Sequence, residues 1–119
     1  MTEPATLDES ALARLRELGG DEFANDMVRM FHQYAEAQLG FARAALDAGD
    51  IDAVEKAIHP LKTSAAHVGA LAMKGLCQEI ENCGREGDGA PIPGLLGRLE
   101  AAYSEVKPLL AVVDKDPGA

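Results

Sequence analysis

Ile58-His59-Pro60-Leu61-Lys62-Thr63-Ser64-Ala65-Ala66-His67-Val68-Gly69-Ala70 is the stretch from which the fold of this chain is read. With Ile51 and Val54 upstream, Ile58, Leu61, Ala65 and Val68 fall at alternating spacings of three and four, the stripe of a helix that turns one side to a core. At about 100° per residue, His59 lies well off that stripe and toward solvent. Lys62 is three positions on, so its ammonium reaches the space above the same imidazole. Thr63 and Ala66, one and two turns beyond His59, are both small. The pattern predicts an exposed imidazole beside a cation, with open ground on which a flat partner can bring up an anion.

Working outward, Gly49 and Asp50 supply a helix stop and the next N-cap with almost no loop between them, so the preceding helix is an antiparallel neighbour. That preceding helix starts at Asp21 and keeps helical spacing through Phe23, Met27, Met30, Phe31, Tyr34, Gln38, Phe41 and Ala45. It holds all three phenylalanines and is expected to form the central wall of the core. Before it, Asp8 caps a short helix with Ala11, Leu12, Leu15 and Leu18 inward, stapled by Leu7 on Leu12 and ended by Gly19-Gly20.

Downstream, Gly69 ends the His59 helix, and another runs from about Ala70 to Arg85 with Met73, Leu76, Cys77, Ile80 and Cys83 inward. The run from Gly87 to Pro93 breaks the pattern. A last helix from near Pro93 presents Leu95, Leu96, Leu99, Ala102, Tyr103, Val106, Leu109, Leu110 and Val113, interrupted late by Pro108. Pro60, inside the His59 helix, removes a hydrogen bond from the carbonyl of Lys56 and predicts a bend there. The expected fold is all-α: an antiparallel four-helix bundle with a short additional N-terminal helix, one domain over residues 1–119 with loose tails at 1–6 and 114–119.

Composition agrees with that class and narrows the partners. Hydrophobic residues make up 47% and aromatics 4% of 119 residues, a balance rich in Ala and Leu that favours helix over strand. A formal charge of −9 argues against nucleic acid, whose binding draws on many Lys and Arg contacts to phosphate, and gives little attraction to anionic lipid. No uninterrupted apolar run approaches the roughly 18 residues of a membrane span, and no basic segment precedes an apolar one, so a cytoplasmic protein is expected. Cys77 and Cys83 lie six apart on one predicted helix and point in different directions, as small core residues rather than a disulfide.

The run His59-x-Leu61-Lys62-x-Ser64 followed by Gly69-Ala70 resembles the signature of the histidine-containing phosphotransfer domain of multistep two-component signalling. Gly49-Asp50, Leu76-Cys77, Ile80-Glu81, and Leu18-Gly19-Gly20-Asp21 followed by Phe31 extend the resemblance over nearly the whole chain. It implies that His59 is a phosphoacceptor, and that Lys62 places positive charge beside the phosphoryl oxygens. Glu81 and Arg85 stand where that family has an acidic or amide group and a basic group facing the histidine; Glu81 then fixes the ring tautomer and Arg85 adds a second positive edge. The two are also an ordinary i,i+4 pair. Thr63 departs from the glycine common in the family one turn beyond the histidine, where a partner approaches closely.

The resemblance implies two partners in turn, the receiver domain of a hybrid histidine kinase and a response-regulator receiver, acting on a monomer. No cofactor is expected. The chain has no Gly-x-x-x-x-Gly-Lys loop and none of the protein-kinase motifs, so the expectation is a phosphoryl carrier, not an enzyme. Two rivals stand beside it. A docking-only bundle would sequester a receiver without carrying phosphate. A metal-binding bundle would want Glu-x-x-His on two helices, and no such pair occurs; His32 and Glu36 offer only a short, common spacing. His67, about 80° round from His59, reads as partly buried or as a helix-end group favoured by the dipole.

Overall fold

The computed structural model describes residues 7–110. The expected tails at 1–6 and 114–119 and the inward placing of Val113 lie outside these residues. Four elements follow in order: α1 (Glu9–Asp47), α2 (Ile51–Val68), α3 (Leu71–Arg85) and α4 (Ile92–Leu109). They form the expected all-α bundle, each helix packed against its neighbour in sequence and α4 closing back on α1. The short N-terminal helix is present as the first arm of α1. Gly20, at φ 83° and ψ −178°, breaks the helical path between that arm and the long one.

Of the side-chain caps the sequence proposes, those at Asp8 and Asp50 are present, whereas Asp21 lies inside α1 just past its kink. Asp8 Oδ1 accepts from the Ser10 amide at 3.1 Å, and Asp50 Oδ1 accepts from the Ala53 amide at 3.0 Å. Gly69 ends α2 in the left-handed region at φ 79°. Its carbonyl accepts from the Asp8 amide at 2.7 Å, so the start of α1 is tied over the turn between α2 and α3. Leu7 and Leu12 pack against the core at that end.

The inward stripes of α2 and α3 fall where their spacing puts them. Val54, Ile58, Leu61, Ala65 and Val68 meet Met73, Leu76, Cys77 and Ile80 in one hydrophobic core, with Cys83 half-buried at its margin. In α4 the stripe runs from Ile92 through Leu95, Leu96, Leu99, Ala102, Tyr103 and Val106 to Leu110, whereas Leu109, expected inside, is exposed. Pro108 sits within the last turn of α4, so the helix simply ends there.

The long arm of α1 corrects the expectation most. Of its proposed stripe only Phe31 is buried; Met27, Gln38 and Ala45 are half-buried, and Phe23, Met30, Tyr34 and Phe41 face outward. Leu18, on the short arm, is also exposed. The buried face is Ala24, Asn25, Val28, Phe31, Ala35, Leu39 and Ala42. Both sets keep the three-and-four spacing, roughly one residue apart. Alanines let neighbouring helices come close against α1, and the larger side chains are left on the outer side. The three phenylalanines therefore do not form the wall of the core.

No helix among the described residues is long and apolar enough to cross a membrane.

Candidate functional site

His59 stands on the outer face of α2 with two thirds of its side chain exposed, although Ala57 and Ile58 before it and Leu61 after it are buried. The anchored stripe fixes the backbone while the ring projects. Nδ1 lies 3.2 Å from Glu81 Oε2 on α3. Nε2 makes no hydrogen bond among the described residues and points the free side of the ring outward.

Glu81 is the unusual member, a carboxylate whose side chain is only 4% exposed. Lys62 reaches it from α2, with Nζ 3.0 Å from Oε1 and 3.2 Å from Oε2. Only the approach to Oε2 has hydrogen-bond geometry, so Oε1 is held by charge and has no hydrogen bond. Burial by itself pushes the Glu81 carboxyl up, but the bonds from Lys62 and His59 and their nearby charges together outweigh it and hold it below the usual value. Glu81 is therefore ionised at neutral pH. An ionised carboxylate only accepts hydrogen bonds, so Nδ1 of His59 carries the ring hydrogen and Nε2 keeps its lone pair.

Lys62 is occupied on a third side. Its ammonium donates to Gln78 Oε1 at 3.0 Å, and Gln78 Nε2 donates in turn to Asn82 Oδ1 at 3.0 Å. Only 22% of the Lys62 side chain is exposed. Arg85 lies 3.7 Å from Glu81 Oε2, beyond hydrogen-bond reach, and is largely exposed, so its guanidinium is free to turn toward an incoming anion. The structure thus brings His59 and Lys62 together, as their spacing proposed, and Glu81 and Arg85 with them, as the family resemblance implied, while Thr63 is exposed and Ala66 half-buried farther along α2. Sequence reading passed over Gln78 and Asn82. The signal for them was their helical register with Glu81, since Gln78 is three residues before it and Asn82 four beyond Gln78.

Two hollows lie along α2, and the imidazole lines one of them. One, toward the start of α2, is lined by Asp52, Glu55, Lys56 and His59. The other is an apolar groove between α1 and α2, lined among others by Met27, Met30, Tyr34, Ala37, Ser64 and His67. His67 is exposed in the last turn of α2, which settles its reading as a helix-end group.

His32 and Glu36 belong to a different cluster, bridging α1 and α4. His32 Nδ1 lies 3.1 Å from the Tyr103 hydroxyl and Nε2 3.1 Å from the Leu110 carbonyl. Tyr103 and Lys107 both donate to Glu36 Oε2, at 2.8 and 2.9 Å. The pair is thus engaged in protein contacts, and no group of three potential metal ligands occurs among the described residues.

Comparison with known proteins places the chain in one family. A 30% identical solved structure, histidine-containing phosphotransfer protein B from Pseudomonas aeruginosa PAO1, superimposes with a TM-score of 0.84, covering 91% of this chain and 93% of that one. Multistep phosphorelay regulator 1 of Schizosaccharomyces pombe (strain 972) is 32% identical over 81 residues. That match takes in 66% of this chain but only 28% of the fission-yeast protein. The family model described as "Hpt domain" matches residues 26–108, a span that contains His59 and every residue gathered around it. The chain belongs to the Hpt domain family.

Proposed function

We propose that this chain is a phosphorelay intermediate that takes a phosphoryl group onto His59 from the aspartate of one receiver domain and hands it to the aspartate of another. The observation that supports this most directly is the pairing of Nδ1 with a buried, ionised carboxylate, which leaves Nε2 nucleophilic on an exposed ring.

The receiver approaches the outer face of α2, where Thr63 and Ala66 leave room and the apolar groove beside Ser64 offers contact area. Nε2 attacks phosphorus in line with the bond to the aspartyl oxygen. The Nε2–P bond forms, the P–O bond breaks, and the receiver's carboxylate is regenerated. The ring then carries positive charge with its hydrogen still on Nδ1, and Glu81 stabilises that charge. Lys62, held at Glu81, supplies a fixed positive field below the ring, and Arg85 supplies a mobile one at the phosphoryl oxygens. Transfer onward reverses these steps, with a neutral imidazole as leaving group. Any divalent ion needed belongs to the receiver.

The reading is that of a carrier without turnover of its own, since the sequence holds neither a nucleotide-phosphate loop nor kinase motifs. The test is to mix the purified chain with a phosphorylated receiver bearing labelled phosphate. Label is expected on the native chain and absent from His59→Gln. Equal labelling of the two would end the proposal.

A further inference from the structure

We infer that Gln38, on α1, is a positioning residue for His59 and acts through the backbone of α2. Pro60 has no N–H, so the carbonyl of Lys56 has no donor within the helix, and the proline ring crowds the turn before it. Proline also disfavours helical backbone at the residue it follows, which here is His59 itself. The turn that carries the imidazole is therefore the part of α2 least able to hold its own shape. Yet α2 runs as one helix from Ile51 to Val68.

A contact from outside α2 meets that turn. Gln38 Nε2 donates to the carbonyl oxygen of Ala57 at 2.9 Å, two residues before His59 and three before Pro60. The bond is partly buried and comes from the half-buried edge of α1, between the buried Ala35 and Leu39. A rigid neighbouring helix thus holds the turn from one side while Ile58 and Leu61 hold it from the core. Precision matters here because the His59–Glu81 contact, at 3.2 Å, lies at the long end of hydrogen-bonding range. A slight tilt of the turn carries Nδ1 out of reach of Glu81, and the ring then loses its preference for the Nδ1–H tautomer. The consequence for phosphoryl transfer rests on the phosphorelay reading; the consequence for the ring does not.

The experiment is a four-way comparison of the full chain, Gln38→Leu, Pro60→Ala and the double variant. Nitrogen-15 spectra of the His59 ring are taken at about pH 8.5, where a free imidazole is neutral. Gln38→Leu is expected to lower the ratio of Nδ1–H to Nε2–H tautomer about fivefold, the factor carried by one ordinary net hydrogen bond. In the Pro60→Ala background, where residue 60 regains its N–H, the same change should do nothing. Transfer from a phosphorylated receiver, run in parallel, should slow by a similar factor at saturating donor with an unchanged half-saturation concentration. Gln38→Glu keeps the side-chain shape without the N–H and takes the place of the leucine variant if that one does not fold. An unchanged tautomer ratio in the Gln38 variant, or an equal change with and without Pro60, would overturn the inference. A chain that shows the tautomer effect but takes up no phosphoryl group would instead overturn the phosphorelay reading and leave the positioning role standing.

Discussion

Replacing Lys62 with methionine keeps most of the unbranched stem of the side chain and removes the one ammonium that contacts Glu81 among the described residues. The carboxylate would then rest, 4% exposed, on the His59 N–H and an arginine 3.7 Å away. Stranding a charge in a buried pair costs about 3–5 kcal/mol. Lys62 keeps 22% of its side chain in water, so solvent enters its place and the expected loss is nearer ~2 kcal/mol, within the range for an unsatisfied buried group. The dependence on pH is the more decisive part. In the native chain the folded-state value of Glu81 lies below its ordinary 4.5, so its contribution to stability is present above that pH and is lost as pH falls through the folded-state value. Without Lys62 two of the influences that lower the carboxyl are gone while burial, the largest single influence, remains, so the carboxyl lies higher than in the native chain. The Lys62→Met penalty should therefore shrink as pH falls from 7 toward the carboxylate range, because there the native chain loses more of this group's contribution than the variant does. Urea unfolding at about pH 7 and about pH 4, followed by circular dichroism, measures both. A Lys62→Met penalty of the same size at both pH values, or none at either, would refute the account of Glu81 as an ionised group held by Lys62. Changing Glu81 to leucine in the same chain should recover most of the loss at pH 7, because no charge is then left without a partner.

Two further outcomes follow from other parts of the bundle. Gly69→Ala should cost clearly more in thermal unfolding than Gly49→Ala: both glycines have positive φ, worth about 1–2 kcal/mol to an alanine, but a Cβ at Gly69 would lie 2.5 Å from the Asp8 carbonyl oxygen whereas one at Gly49 meets nothing within 4 Å. With a thiol reagent at neutral pH, Cys83 should react in the native state and Cys77 only on unfolding, since Cys77 is fully buried and burial, helped by the charge of Glu81, pushes its thiol up to about 12.

Much of the site was legible in the sequence because it is written on two helices whose faces are unambiguous. In α2 the apolar positions Val54, Ile58, Leu61, Ala65 and Val68 leave one polar face, and His59 and Lys62 share it. In α3 the placing of Glu81 and Arg85 toward His59 came from the family resemblance, and the burial of Glu81 beside Ile80 was not foreseen. The long arm of α1 was not legible in this way. It carries two apolar stripes of equal periodicity, and hydrophobic weight favours Phe23, Met30, Tyr34 and Phe41 over the alanines that face the core. Close approach of neighbouring helices decides between them, and spacing within one helix carries no record of it. Gln38 was placed on the right helix but for its apolar neighbours, not for its amide, because its partner is a backbone carbonyl on α2. The His32–Tyr103 contact joins residues 71 apart and likewise leaves no local mark.

The central claim is that Nε2 of His59, freed by the bond from Nδ1 to Glu81, is the atom that accepts phosphorus. The direct measurement is a nitrogen-15 and phosphorus-31 spectrum of the isotopically labelled chain after transfer from a phosphorylated receiver. The account predicts a phosphorus bonded to Nε2 of His59, with the hydrogen on Nδ1. Phosphorus on Nδ1, on another residue, or on no residue of this chain would contradict it.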